Sequence, residues 1–179
     1  MKLRIQKWIA VLLISLIPLG CVLNPFSNLF GMIGIGCALL PSTESQKLIM
    51  GFDPSDFIII EEEDTHGGFH GDGEYFLTLD CASDPDRARQ IVADWTPLPL
   101  SNNLELRMYG GQKEYAVYHG WVEERWPKVE NGVYRFYNYH TEDTDPTDDS
   151  GLFSDYSYNF DIAIYDFDND ILYYYQLDT

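Results

Sequence analysis

The stretch from Tyr156 to Asp178 constrains the fold more than any other, because its pattern fixes both an element type and a pairing. Tyr158, Phe160, Ile162 and Ile164 alternate with Ser157, Asn159 and Asp161. Beyond Asp166-Phe167-Asp168-Asn169-Asp170 a second alternation sets Ile171, Tyr173, Tyr175 and Leu177 on one face. Successive strand residues point to opposite faces, so each run reads as half-buried strand. A turn centred on Asp168-Asn169 opposes Ile164 to Tyr173, Ile162 to Tyr175 and Phe160 to Leu177. A one-residue slip would set Phe160 against a polar neighbour, Gln176 or Asp178, and lose the match. A two-residue turn and a four-residue loop keep the same parity, so the register is firmer than the turn type. This hairpin is expected to form the floor of the domain.

Charge divides the chain sharply. Lys2, Arg4 and Lys7 are the only charges before Pro41, and all 29 acidic residues follow it. Eleven basic residues less those three leaves eight against 29, a net charge of −21 after Pro41. Such a balance argues against nucleic-acid binding, which rests on Lys and Arg at phosphates. It fits a solvated, self-repelling surface, a basic protein partner or cation binding. Cys21 and Cys37 lie in the apolar N-terminal region, which leaves Cys81 alone in the domain with no partner for a disulfide there.

The N-terminal region reads as a membrane segment. Three basic residues precede an apolar run from Trp8 to Cys21, the composition of a secretory signal. Leu19-Gly20-Cys21 resembles the lipobox of bacterial lipoproteins, which would make Cys21 a lipid anchor, although Pro18 departs from the motif. A second apolar run covers residues 29–40. One straight helix from Trp8 to Leu40 would be on the order of 50 Å long against a hydrocarbon core of roughly 30 Å. Three arrangements follow: a single anchor with a kinked extension and the domain outside, a helical hairpin turning at Asn24-Pro25 with the domain in the cytoplasm, or the lipoprotein. The first is favoured slightly over the second. The organisation is therefore an anchor or signal segment (1–40), a tether (41–56) and an acidic domain (57–179).

Within the domain, residues 57–63 and 75–80 read as a first hairpin around the loop 65–74. Ser83 and Pro85 open the one convincing helix, whose Ala88, Ile91, Val92 and Trp95 recur at helical spacing. Residues 104–109 alternate and read as strand, 115–126 is ambiguous between strand and helix, and 133–139 is strand. The expected fold is α+β: a mostly antiparallel sheet of five or six strands with one main helix on a face.

The glycine-rich loop carries the densest chemistry. His66, His70 and Asp72, with Glu74, offer nitrogen and oxygen donors, and its glycines let a backbone approach a ligand closely. The plain alternative is a flexible hairpin loop, since Gly67-Gly68 spoils the helix that would align two histidines. Asp143-x-Asp145 and Asp166-x-Asp168-x-Asp170 resemble the start of a calcium loop, but neither has glycine at the sixth position or glutamate at the twelfth. No G-x-S-x-G elbow occurs, and Cys81 lacks a recognisable histidine setting. No catalytic residue and no cofactor are expected. Tyr109, Tyr134, Tyr137 and Tyr139 read either as an exposed aromatic patch or as half-buried sheet residues.

Three stretches, residues 51–57, 66–73 and 158–166, resemble segments of small, uncharacterised membrane-anchored proteins of Gram-positive bacteria. The resemblance covers most of residues 50–179 and implies a cell-envelope setting; it implies no activity. The expectation is a non-enzymatic, membrane-tethered interaction domain. The alternative is a metal-binding protein or metal-assisted hydrolase built on the 65–74 loop.

Overall fold

The computed structural model describes residues 47, 49–67 and 71–179. The expected membrane segment, Cys21 and His70 lie outside them. Besides three short 3-10 turns, the strands and α-helices assigned among the described residues are, in order, β1 (Ile58–Asp64), β2 (Gly73–Asp80), α1 (Pro85–Ile91), β3 (Thr96–Pro97), α2 (Asn102–Tyr109), β4 (Gly111–Lys113), β5 (Ala116–Tyr118), β6 (Gly132–Asn138), β7 (Asn159–Asp166) and β8 (Ile171–Asp178). Six strands form one sheet in the order β1-β2-β8-β7-β6-β3, and β4 pairs with β5 in a separate ribbon. Every pairing is antiparallel. This is the α+β architecture the sequence implies.

The C-terminal hairpin has the expected register: Phe160 opposes Leu177, Ile162 opposes Tyr175, and Ile164 opposes Tyr173. Its connection is the four-residue loop 167–170. Asp166 holds that loop by accepting from the Asp168 amide at 2.8 Å and the Asn169 side chain at 2.8 Å. The hairpin lies at the centre of the sheet and not at a floor. β2 flanks β8 and β6 flanks β7, and both faces are covered. On one face Ala163, Tyr165, Leu172 and Tyr174 pack with Ala88 and Val92 at α1. Ile49, Met50, Phe52 and Phe57 join them, so the packed core reaches back to Ile49. On the other face Phe160, Ile162, Ile164, Tyr173 and Tyr175 pack with Leu104 and Met108 of α2.

Two local expectations change. Residues 104–109 are helical, because Leu104 and Met108 are an i, i+4 pair as well as members of an alternation, and both are buried. The Ser101 hydroxyl caps this helix by accepting from the Leu104 amide at 3.1 Å, and Gly110 at φ 73° ends it. Each face of the sheet thus carries a short helix, α1 on one and α2 on the other. In α1 the cap is Asp84, which accepts from the Arg87 amide, and not Ser83. That helix stops at Ile91, so Trp95 reaches the core from the segment after it. From there the chain rounds the β6 side of the sheet. Trp95 lies in one core and Leu100 in the other, with β3 paired to β6 between them.

Candidate functional site

The 65–74 loop closes on itself at its base. The Thr65 amide donates to the Glu74 carbonyl at 2.8 Å, and the Glu74 amide returns a bond to the Thr65 hydroxyl at 2.8 Å. His66 folds back over β2 instead of splaying outward. A Cβ on Gly73 would lie 2.4 Å from the His66 Cα, so only glycine admits this approach. Asp64 Oδ1 clamps His66 twice, accepting from its amide at 2.9 Å and facing Nδ1 at 2.7 Å. The other ring nitrogen, Nε2, is buried with no hydrogen-bond partner among the described residues.

Below the loop a polar row crosses one face of the sheet. Asp64, Tyr75, Gln176, Asp161 and Tyr137 are successive cross-strand neighbours in β1, β2, β8, β7 and β6. Asp161 is fully buried. Its Oδ2 accepts from the Tyr139 hydroxyl at 2.8 Å. Among the described residues its Oδ1 and the Gln176 Oε1 have no hydrogen-bond partner, and the Tyr174 hydroxyl faces the carboxyl. Burial pushes the Asp161 carboxyl up to about 7, against the opposing pull of the Tyr139 and Tyr174 hydroxyls and of His66. Asp178 is raised too, by burial first and then by Asp72, while His66 and His140 oppose the shift. Asp72 itself is exposed.

The structure therefore brings His66 and His140 to the same polar end of the sheet, with Asp72, Asp161 and Asp178. His119 stands apart, 92% exposed and 3.3 Å from Glu123. Among the described residues no three His, Cys, Asp or Glu side chains are arranged to hold a metal ion. Asp161 is the group that sequence reasoning missed. Its partners come from other segments, Tyr139 just after β6 and Tyr174 in β8, and its alternation marked it as a solvent-facing residue. Cys81 is buried, and burial, with Asp80 and Asp170 adding to it, pushes its thiol up to about 12. At neutral pH it is a packed thiol and not a nucleophile.

The other candidates resolve into structure. Asp145 and Asp166 cap turns, taking bonds from Thr147 and from Asp168 and Asn169. The four tyrosines do not form one patch. Tyr137 packs on the α1 face, Tyr109 and Tyr134 on the α2 face, and Tyr139 serves Asp161. Arg107 lies among the rings of Tyr118, Trp121, Phe153 and Tyr158, 4.2–5.5 Å from their centroids, and tacks the β4–β5 ribbon to the domain.

The most unusual surface is β1. It is the outermost strand, with β2 as its only neighbour among the described residues. Ile58, Ile59 and Ile60 are 58%, 45% and 57% exposed. Glu61, Glu62, Glu63 and Asp64 continue it, also exposed. Arg125 bridges Glu61 at 3.3 Å and Glu63 at 2.7 Å across the flank of β2, with its guanidinium 4.1 Å above the Phe76 ring. The Tyr75 hydroxyl donates to Glu62 at 2.7 Å. A bulge falls between Ile59 and Glu61. The sequence showed the three isoleucines, but a run without alternation does not say which side it buries.

No protein-family model, no curated protein and no solved structure matches this chain.

Proposed function

We propose that the chain is a membrane-tethered interaction domain with no chemistry of its own, and that its working surface is the open strand β1. One observation carries this reading: three adjacent isoleucines stand in solvent on the outer strand of a sheet whose interior is otherwise packed on both faces. Exposed apolar edge strands are liabilities that folds remove unless something uses them. The tether rests on the basic N-terminus and the apolar runs that follow it. No helix of the described residues is long and apolar enough to cross a membrane. A domain on the outer side agrees with a basic N-terminus held inside.

A photocrosslinker placed at Ile59 in the full chain, in its own membrane, tests the reading. A discrete product at Ile59 and none at the more exposed Tyr156 is the expected result. Equal labelling at both positions contradicts it. Fractionation of Cys21→Ala separates the anchors: retention in the membrane fits a helix, and release to the soluble fraction fits a lipid.

A second reading has one observation in its favour. A carboxylate on Nδ1 with Nε2 turned inward is how imidazole ligands are commonly oriented, and Asp64 holds His66 in that way. Under this reading His66→Ala with His70→Ala abolishes stoichiometric zinc binding. Zinc titration that finds no stoichiometric site in the wild type removes it.

A further inference from the structure

We infer that β1 takes an extended segment of another protein, basic and then apolar in N-to-C order, added antiparallel as a seventh strand. The inference rests on the interaction-domain reading and names the partner that this edge selects. An added strand gains main-chain hydrogen bonds from the edge and specificity from the side chains it meets. Antiparallel addition to Ile58–Asp64 lays the start of the incoming segment beside Glu61–Asp64 and its end beside Ile58–Ile60.

Each half of β1 sets one property of that segment. Ile58, Ile59 and Ile60 lose contact with water only if the incoming residues beside them are apolar. Beside them stand four carboxylates, and among the described residues Arg125 and His66 are the basic side chains paired with them. Arg125 lies on the face that holds Phe76, and Asp64 carries His66, so the strand keeps an excess of negative charge. Cross-strand pairs favour opposite charges and oppose like ones, which calls for Lys or Arg at these positions.

A second copy of the chain meets the edge badly. An antiparallel self-pairing that matches isoleucine with isoleucine spans only Ile58–Ile60. A parallel one in register stacks every carboxylate on its twin, between domains of net charge −21 each. The acids thus act against self-association while leaving the isoleucines available to a strand of opposite charge.

The test uses the full chain in detergent micelles and four labelled seven-residue peptides. One is basic then apolar, Lys-Thr-Arg-Lys-Val-Ile-Val, and one is its scramble; the others replace the basic residues by Glu or by Ser. The expected result is binding of the first peptide, at least tenfold tighter than the other three and weakened by salt. Ile58→Lys with Ile60→Lys should weaken it at least tenfold with no change in melting temperature. Tyr156→Lys, at another exposed site, should leave it unchanged. Equal binding of the basic and Ser peptides, both lost in the isoleucine variant, overturns the charge selection while the interaction surface stands. Equal binding of the scramble, or binding indifferent to the isoleucine variant, overturns strand addition. If no peptide binds and the chain instead dimerises through β1, the partner is a second copy and the inference falls. If nothing binds and the chain stays monomeric, the interaction-domain reading falls with it.

Discussion

The two edges of the sheet are built on opposite principles. At the β3 edge the strand is two residues long, contains Pro97, and is part of a crossing in which Trp95 anchors one core and Leu100 the other. The chain wraps that side, and Pro97 offers no amide to an incoming strand. At the β1 edge the strand runs for seven residues, none of them buried. Its safeguards are the acids from Glu61 onward and a bulge between Ile59 and Glu61. A fold able to close one edge so completely has left the other open where its isoleucines are. The difference teaches that stability and recognition are separated across the width of the sheet.

The edges should therefore respond to substitution very differently. Trp95→Ala, on the closed side, should lower unfolding free energy by about 3–5 kcal/mol, the usual cost of deleting a large buried ring, read from a urea midpoint. A loss under about 1 kcal/mol would mean that the crossing does not hold that side. Between the edges, Asp161 contrasts a buried acid with the solvated acids of β1. Its folded pKa is raised from near 3.8 to about 7. A raised carboxyl favours the folded state at low pH, and that contribution is lost as pH climbs through about 4 to 7. Asp161→Asn should accordingly stabilise the domain by roughly 2–4 kcal/mol at pH 8 and by little at pH 4. A variant less stable than wild type at pH 8 would show that the ionised carboxylate is instead well solvated or paired.

The smaller effects belong to the open edge. Arg125→Ala removes two partly exposed ion pairs and the packing of the guanidinium on Phe76, for about 1 kcal/mol. Half of that loss should vanish in high salt if the ion pairs carry it. Ile58→Lys with Ile60→Lys should change stability by no more than about 0.5 kcal/mol, since exposed positions away from special features rarely cost more. A larger cost in thermal unfolding would place those side chains in a packed environment and break the contrast between the edges.

The register of β7 and β8 was legible because two alternating runs and the parity of their turn allow a single apolar pairing. The second covered face was not. Asp161 and Gln176 fall on it, and a polar alternation partner looks like solvent exposure until α1 and residues 49–57 are known to lie over that side. α2 was misread because Leu104, Leu106 and Met108 satisfy the strand period and, in part, the helix period; the Ser101 cap was the signal that distinguishes them. His66 stood out as a residue type, yet its inward fold depends on Gly73 and Asp64, a contact of backbone geometry. The opening of β1 depended on sheet order, which no local pattern encodes.

Amide hydrogen exchange on the isolated full chain tests the contrast of the edges most directly. Amides that open only with the whole domain exchange slowly, and those free of the ladder exchange fast. The account predicts that the amides of Ile58–Asp64 that point away from β2 exchange much faster than those of β7 and β8, while the Leu98 amide, bonded to the Gly132 carbonyl at 3.0 Å, stays protected beside β3. Protection along β1 equal to that of β8 in the isolated chain would show that this edge is already covered, and would contradict the account.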